Sequence, residues 1–146
     1  MTALDVPVLC RMGMRLAQES NFYDGYEFNE EGCYYLAEQF LDAHNYYSAL
    51  YEEDGIIKGM LLGMYAQNLF VKMSCAGDLL FYVEPQYRKG SIAKELVQDF
   101  VNWAKLRGCD KVTIGNSSGY KPEAVSRFFG SCGLKRIGYV HAMELK

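Results

Sequence analysis

Apolar residues recur at three- and four-residue spacing through Val8, Leu9, Met12, Leu16 and Ala17, behind Asp5 and Pro7, and this predicts an amphipathic helix early in the chain. Asn29 reads as the N-cap of a second helix. Glu30 and Glu31 fall in its first turn, Phe28 and Cys33 in staple positions, and Leu36, Ala37, Phe40 and Leu41 on its apolar face. The period then changes. Tyr46–Glu52 and Ile56–Tyr65, joined through Asp54-Gly55, predict a β-hairpin, because those two residues accept the positive φ of a tight turn. Gln67–Gly77 is ambiguous, its Leu69–Met73 stretch strand-like but short. Asp78–Glu84 is almost continuously apolar and stopped by Pro85, as in a central strand covered on both faces. Ile92, Ala93, Leu96, Val97, Phe100, Val101, Trp103 and Ala104 form one wide stripe of a long helix closed by Gly108. Lys111–Gly115 predicts a strand, Pro122–Cys132 a helix, and Leu134–Leu145 closing strand material. The order ααββ(β)βαβαβ is that of a mixed α/β (α+β) fold forming one domain over residues 1–146, without repeats or linkers.

With 146 residues, 50% hydrophobic and 14% aromatic, the chain can bury a core that needs no metal or disulfide to hold it. No run approaches the roughly 20 apolar residues of a membrane span, and no basic region precedes the apolar residues at the start, so neither a span nor a secretory signal is expected. Five dispersed cysteines without a C-x-x-C pair read as free thiols in a reducing cytoplasm, and no metal site is expected. His44 and His141 lack ligand-spaced neighbours, Cys132 sits beside Phe128 and Phe129, and Met12, Met14, Met60 and Met64 fall on apolar faces; all are read as structural. The net charge of -3 hides a division. Residues 1–84 hold four Lys/Arg against 13 Asp/Glu, and residues 85–146 hold 11 against five. Such a split suits a polyanionic ligand on the basic half and a cationic one facing the acidic half. Nucleic-acid binding fits less well, because no basic tract is interleaved with aromatics.

The chemistry concentrates in Val83-Glu84-Pro85-Gln86-Tyr87-Arg88-Lys89-Gly90-Ser91-Ile92-Ala93-Lys94, where the central strand meets the long helix. A turn of small residues entering a helix presents several unpaired N–H groups in one direction, with the positive end of the macrodipole behind them. Gly90, Ser91 and Ala93 let a diphosphate approach the backbone, and Arg88, Lys89 and Lys94 bring positive charge. The spacing is neither that of the P-loop nor that of the dinucleotide fingerprint.

These residues resemble the strand-to-helix loop of the GNAT superfamily of acetyltransferases, V-x-P-x-x-R-x-x-G-x-(G/A), with Val83, Pro85, Arg88, Ser91 and Ala93 in its places and serine for one glycine. Val125-Ser126-Arg127-Phe128-Phe129-Gly130-Ser131-Cys132-Gly133-Leu134 is similar to that family's A-x-x-x-(F/L)-Y-x-x-x-G-(F/L) helix. Asp78–Val83, Trp103-Ala104 and Gly115–Gly119 are also similar to small acetyltransferases of bacteriophages. The resemblance implies a mostly antiparallel central sheet flanked by helices. It further implies an acyltransferase that uses acetyl-CoA or another acyl-CoA, monomeric or homodimeric. Backbone groups of Phe81, Tyr82 and Val83 would face the pantetheine arm, one N–H polarising the thioester carbonyl. Lys89, Gly90, Ser91, Ile92, Ala93 and Lys94 would hold the diphosphate, with Arg88, Lys121 and Phe129 completing the coenzyme contacts.

The usual acid and base are missing. Phe129 stands where many members place the tyrosine that protonates the thiolate, Ser117 near a glutamate position, and Lys121 or Pro122 near an asparagine position. Asp78, Asn116, Ser117 and Tyr120 are the catalytic candidates, with Glu84 and Tyr82 beside them. Direct attack by an amine held in line, at an effective concentration of about 10⁵ M or more, needs little more than an oxyanion donor and a water route for the proton. The acidic half points to a cationic acceptor: a lysine side chain, a protein N-terminus or a polyamine. The other reading is a non-catalytic scaffold of this family that works by binding another protein.

Overall fold

A computed structural model describes residues 1–41 and 44–145 of the chain. Helix α1 runs Val6–Glu19 with Pro7 in its first turn, where a missing N–H is harmless. Asp5 does not cap it by its side chain; its Oδ2 instead accepts from Thr2 N at 2.7 Å, closing a short 3-10 turn ahead of the helix. Helix α2, Glu30–Gln39, begins as expected, Asn29 Oδ1 accepting from Gly32 N at 2.9 Å. Strands β1 (Tyr46–Glu53) and β2 (Ile56–Gln67) form the hairpin, with Asp54 and Gly55 at φ 55° and 73°.

Strand β3 spans Ser74–Val83, starting four residues before the apolar run that announced it. Leu69–Met73 is not a strand; it forms an exposed turn in which Asn68 Oδ1 accepts from Phe70 N and Val71 N. Helix α3 covers Ile92–Leu106 and ends at Gly108, φ 70°, whose N–H reaches Lys105 O while Cys109 N reaches Ala104 O, both at 3.0 Å. Strand β4 is limited to Lys111–Thr113, and α4 runs Pro122–Ser131. The predicted closing strand does not form: residues 134–145 join no ladder among the described residues, since alternation alone supplies no partner for a strand's hydrogen bonds.

The sheet order is β1-β2-β3-β4, antiparallel except for the parallel β3–β4 pair. In β2, Met60 and Leu62 join a core under α1 and α2, while Leu61 between them joins a core under α3 and α4. Both faces of the sheet are thus covered, which is why Gly59–Ala66 of β2 carries no polar side chain but Tyr65.

Candidate functional site

The β3–β4 ladder covers only Cys75–Gly77 against Lys111–Thr113. Beyond it the strands part, and β3 continues to Val83 with no partner on that side among the described residues. Asp78 sits at the fork. Its Oδ1 accepts from Gly115 N at 2.8 Å, a side chain taking over where the backbone ladder stops. Burial pushes its carboxyl above the ordinary carboxylate value, and the Gly115 bond acts the other way. The β2–β3 register shifts at this point, Leu62 facing Leu80 and Gly63 facing Asp78, so Leu79 bulges out.

Alternation along β3 decides which amides face the opening. Glu84 N donates to Lys58 O of β2 at 2.9 Å, so Tyr82 and Leu80 also turn toward β2, and Phe81 and Val83 turn toward the gap. The Val83 carbonyl there accepts from Arg88 Nε at 2.7 Å. Of the three backbone positions implied by the resemblance, Tyr82 is therefore directed into the sheet.

A short turn through Pro85–Tyr87 links β3 to α3, placing the helix amino end beside the carboxyl end of β3. Among the described residues, the amides of Ser91, Ile92, Ala93 and Lys94 donate to nothing, and the Ser91 hydroxyl does not cap them. Lys89, Gly90, Ser91 and Lys94 are exposed, while the Ile92 side chain anchors the helix in the core. At Gly90 an added Cβ would lie 3.6 Å from Tyr87 O, an ordinary contact, so folding does not demand glycine there.

Arg88 is committed inward. Its Nη2 lies 2.7 Å from Glu19 Oε2, and its guanidinium packs 5.1 Å from the centroids of both Tyr82 and Tyr120. Lys89 and Lys94 make no ion pair among the described residues, so the free positive charge at the helix start is theirs. Lys121, left-handed at φ 36°, places Nζ 5.2 Å from the Tyr120 ring. Phe129 lies in the α3-side core, its ring 6.1 Å from that of Phe81.

Asn116 and Tyr120 belong to a self-bonded loop. Asn116 Nδ2 donates to Tyr120 O, Ser118 Oγ to Asn116 Oδ1, and Tyr120 N to Ser118 Oγ. Ser20, at the end of α1, pins this loop by donating to Ser118 O at 2.8 Å. Asp78 stands at the fork, and Asn116 and Ser117 follow Gly115 in the loop that Asp78 holds there. Tyr120 alone of the four catalytic candidates joins the Arg88 cluster.

A second cavity, of about 290 Å³, opens where α1 ends against the β3–α3 turn, lined by Arg15, Gln18, Glu19, Tyr82, Glu84, Pro85 and Gln86. Glu84 is buried there and paired with Arg15 Nη1. Glu19 accepts from the Tyr82 hydroxyl at 3.0 Å, and burial followed by that bond pushes the Tyr82 phenol up. Arg15, Glu19 and Ser20 escape sequence reasoning, because their partners lie 63 to 98 residues away and no local pattern marks them.

Residues 13–134 match the Acetyltransferase (GNAT) family, and the chain belongs to that family. A comparison with curated protein sequences finds no significant match. Among solved structures, the tetramutant of the BH1408 protein from Bacillus halodurans is 14% identical, covers 99% of this chain and 97% of its own, and superimposes with a TM-score of 0.84. AAC(6')-Iy in complex with the bisubstrate analogue CoA-S-monomethyl-acetylneamine is 15% identical over 100% and 95% of the two chains, TM-score 0.78. A predicted acetyltransferase from Clostridium acetobutylicum with acetyl-CoA is 18% identical over 99% and 93%, TM-score 0.75. At these identities the likeness is one of fold.

Proposed function

We propose that residues 1–146 form one acyltransferase domain that carries an acyl group, acetyl in the simplest case, from coenzyme A to an amine. The observation that carries this reading is the set of free amides at Ser91–Lys94 beside the unpaired edge of β3. Those amides, with Lys89 and Lys94, suit a diphosphate. The Phe81 and Val83 backbone suits a pantetheine arm laid along the strand, with the N–H of Phe81 or Val83 as oxyanion donor. Coenzyme-bearing relatives of the same fold support it.

The cavity between α1 and Glu84 takes the acceptor. The acceptor reacts as the neutral amine, an ammonium first giving one proton to solvent; its nitrogen then attacks the thioester carbonyl carbon, the C–N bond forms and the C–S bond breaks. The coenzyme sulfur leaves with the electron pair and takes up the proton that the amine releases. Glu84 and Glu19 line this cavity, paired with Arg15 and Arg88, and Tyr82 and Tyr120 are the hydroxyls packed against the Arg88 guanidinium. A cationic amine is the fitting acceptor, and the unpaired thiols fit a reducing cytoplasm.

Thermal unfolding with and without acetyl-CoA tests the coenzyme site. At one hundred times the dissociation constant the expected stabilisation is about 2.7 kcal/mol, and K89E/K94E should remove it. No shift for the unaltered chain rejects the proposal. Phe129, which has no hydroxyl to give, favours one alternative: a scaffold that binds another protein without catalysis. A thermal shift with no transfer to any amine in a panel would select that alternative.

A further inference from the structure

Two of the five cysteines meet where the N-terminal helices cross. Cys10 lies on α1 and Cys33 on α2, the first buried in the core beneath these helices and the second packed half-buried against it. Gly13 makes the crossing close. It is the buried residue one turn after Cys10, and a Cβ built on it would stand 3.4 Å from Cys33 Sγ and 4.0 Å from Phe28 Cζ. Residues three apart share a helix face, so Cys33 Sγ rests on the same stripe of α1 that carries Cys10. The two thiols interact side chain to side chain. Burial, followed by that contact, pushes the Cys10 thiol up to about 12. Burial raises the Cys33 thiol as well, but the hydrogen bond from Cys10 pulls it back. Cys33 is therefore the member that ionises first, and it is the less buried of the two. A cavity of about 280 Å³ at the same crossing has Cys10, Arg11 and Phe28 in its wall and gives a small molecule a route to the pair. Neither sulfur belongs to the cavity at Glu84.

We propose that Cys10 and Cys33 are a redox site, which a low-molecular-weight disulfide closes to a cross-link between α1 and α2 and which small thiols reopen. The Cys33 thiolate attacks one sulfur of the small disulfide; that S–S bond breaks, and the other half leaves as a thiolate with the electron pair. Cys10 then loses its proton and attacks the Cys33 sulfur of the mixed disulfide. The Cys10–Cys33 bond forms and the second half leaves, again as a thiolate. The two departing thiolates take up the two protons lost by the cysteines. The protein is thus oxidised by two electrons while the small disulfide is reduced to two thiols. The sulfurs must close to about 2.0 Å in the bond, and Gly13, with no side chain between the helices, permits that approach. Cys75 and Cys109 also neighbour each other, but they interact through charge without a thiol-to-thiol hydrogen bond. The cross-link restricts the unfolded chain over the loop it closes. It also ties down the helix that carries Arg15 and Glu19 to the β3–α3 turn.

The test compares the purified 146-residue chain incubated with oxidised glutathione and with dithiothreitol. The oxidised sample should lose two of its five free thiols and release a linked Cys10–Cys33 peptide on digestion. Its Tm should rise by roughly 5–10 °C, and dithiothreitol should reverse all three changes. C10A should hold one glutathione at Cys33, C33A none at Cys10, and neither should gain in Tm. If a variant fails to fold, the peptide map of the unaltered chain decides alone. Five thiols still free, a Cys75–Cys109 peptide in place of the Cys10–Cys33 peptide, or a glutathione that stays on Cys33 of the unaltered chain each overturns the proposal. A Cys10–Cys33 link with no rise in Tm overturns it equally. None of these measurements depends on coenzyme binding or acyl transfer.

Discussion

Asp78 illustrates how a single side chain can hold a site open. A carboxylate in the middle of an apolar strand demands solvation, a partner or a use, and this one finds the Gly115 N–H at the fork between β3 and β4. Its native proton affinity is raised, chiefly by burial. The native state therefore binds that proton more tightly than the unfolded chain does. The resulting stability is fully present below the unfolded pKa and is lost as pH rises through the higher native value. D78N keeps an oxygen acceptor for Gly115 and removes the charge. Its stability relative to the unaltered chain should grow as pH rises from about 4 to 7. D78A, which also removes the acceptor, should be less stable than D78N by about 1 kcal/mol at neutral pH. Denaturant unfolding over a pH series checks both, and a D78N difference flat in pH would mean that the group titrates normally. Arg88 teaches the complementary lesson. The sequence places it in the anion loop, but only the fold brings Glu19, Tyr82 and Tyr120 around it, across separations that no local pattern reports.

Elements are legible where their cause is local. The Asn29 cap, the Asp54-Gly55 turn and the α3 stripe with its Gly108 stop each rest on residues within a few positions of one another, and all are present. The start of β3 was hidden because Ser74-Cys75-Ala76-Gly77 has no β-branched or aromatic residue; pairing with β2 and β4 makes it a strand. Leu134–Leu145 fails for the opposite reason: its alternation is correct, but a strand needs a neighbour. Close packing between elements is likewise invisible in sequence. An added Cβ at Gly63 in β2 would stand 2.5 Å from Phe100 Cε2 of α3 and 2.9 Å from Gly77 O of β3, so neither the helix nor the sheet can yield cheaply. G63A should lose about 1–3 kcal/mol, read by thermal unfolding. G90A, whose Cβ meets only an ordinary contact, should fold with unchanged stability and serve as the control. A G63A as stable as the parent would mean that α3 rides further from β2 than its packing here implies.

At the scale of the whole chain, the charge division survives folding in altered form. Two of the acidic half's carboxylates at the cavity, Glu19 and Glu84, are already matched by Arg88 and Arg15, so part of the apparent negative charge is spent on joining α1 to the β3–α3 turn. The basic half keeps Lys89 and Lys94 in solvent at the helix start, where screening acts fully. If these lysines hold a diphosphate, acetyl-CoA affinity must depend on ionic strength, since the Debye length falls from about 10 Å at 0.1 M to about 3 Å at 1 M. Calorimetric titration should show weakening of several-fold between about 0.05 and 0.5 M sodium chloride. Single reversals K89E and K94E should each lower the affinity and flatten that dependence, whereas G90A should leave its slope unchanged. An affinity that does not move with salt would assign the grip to the free amides and the β3 edge alone. The lysines would then be solvated bystanders, and the backbone geometry at Ser91–Lys94 would carry the whole of the recognition.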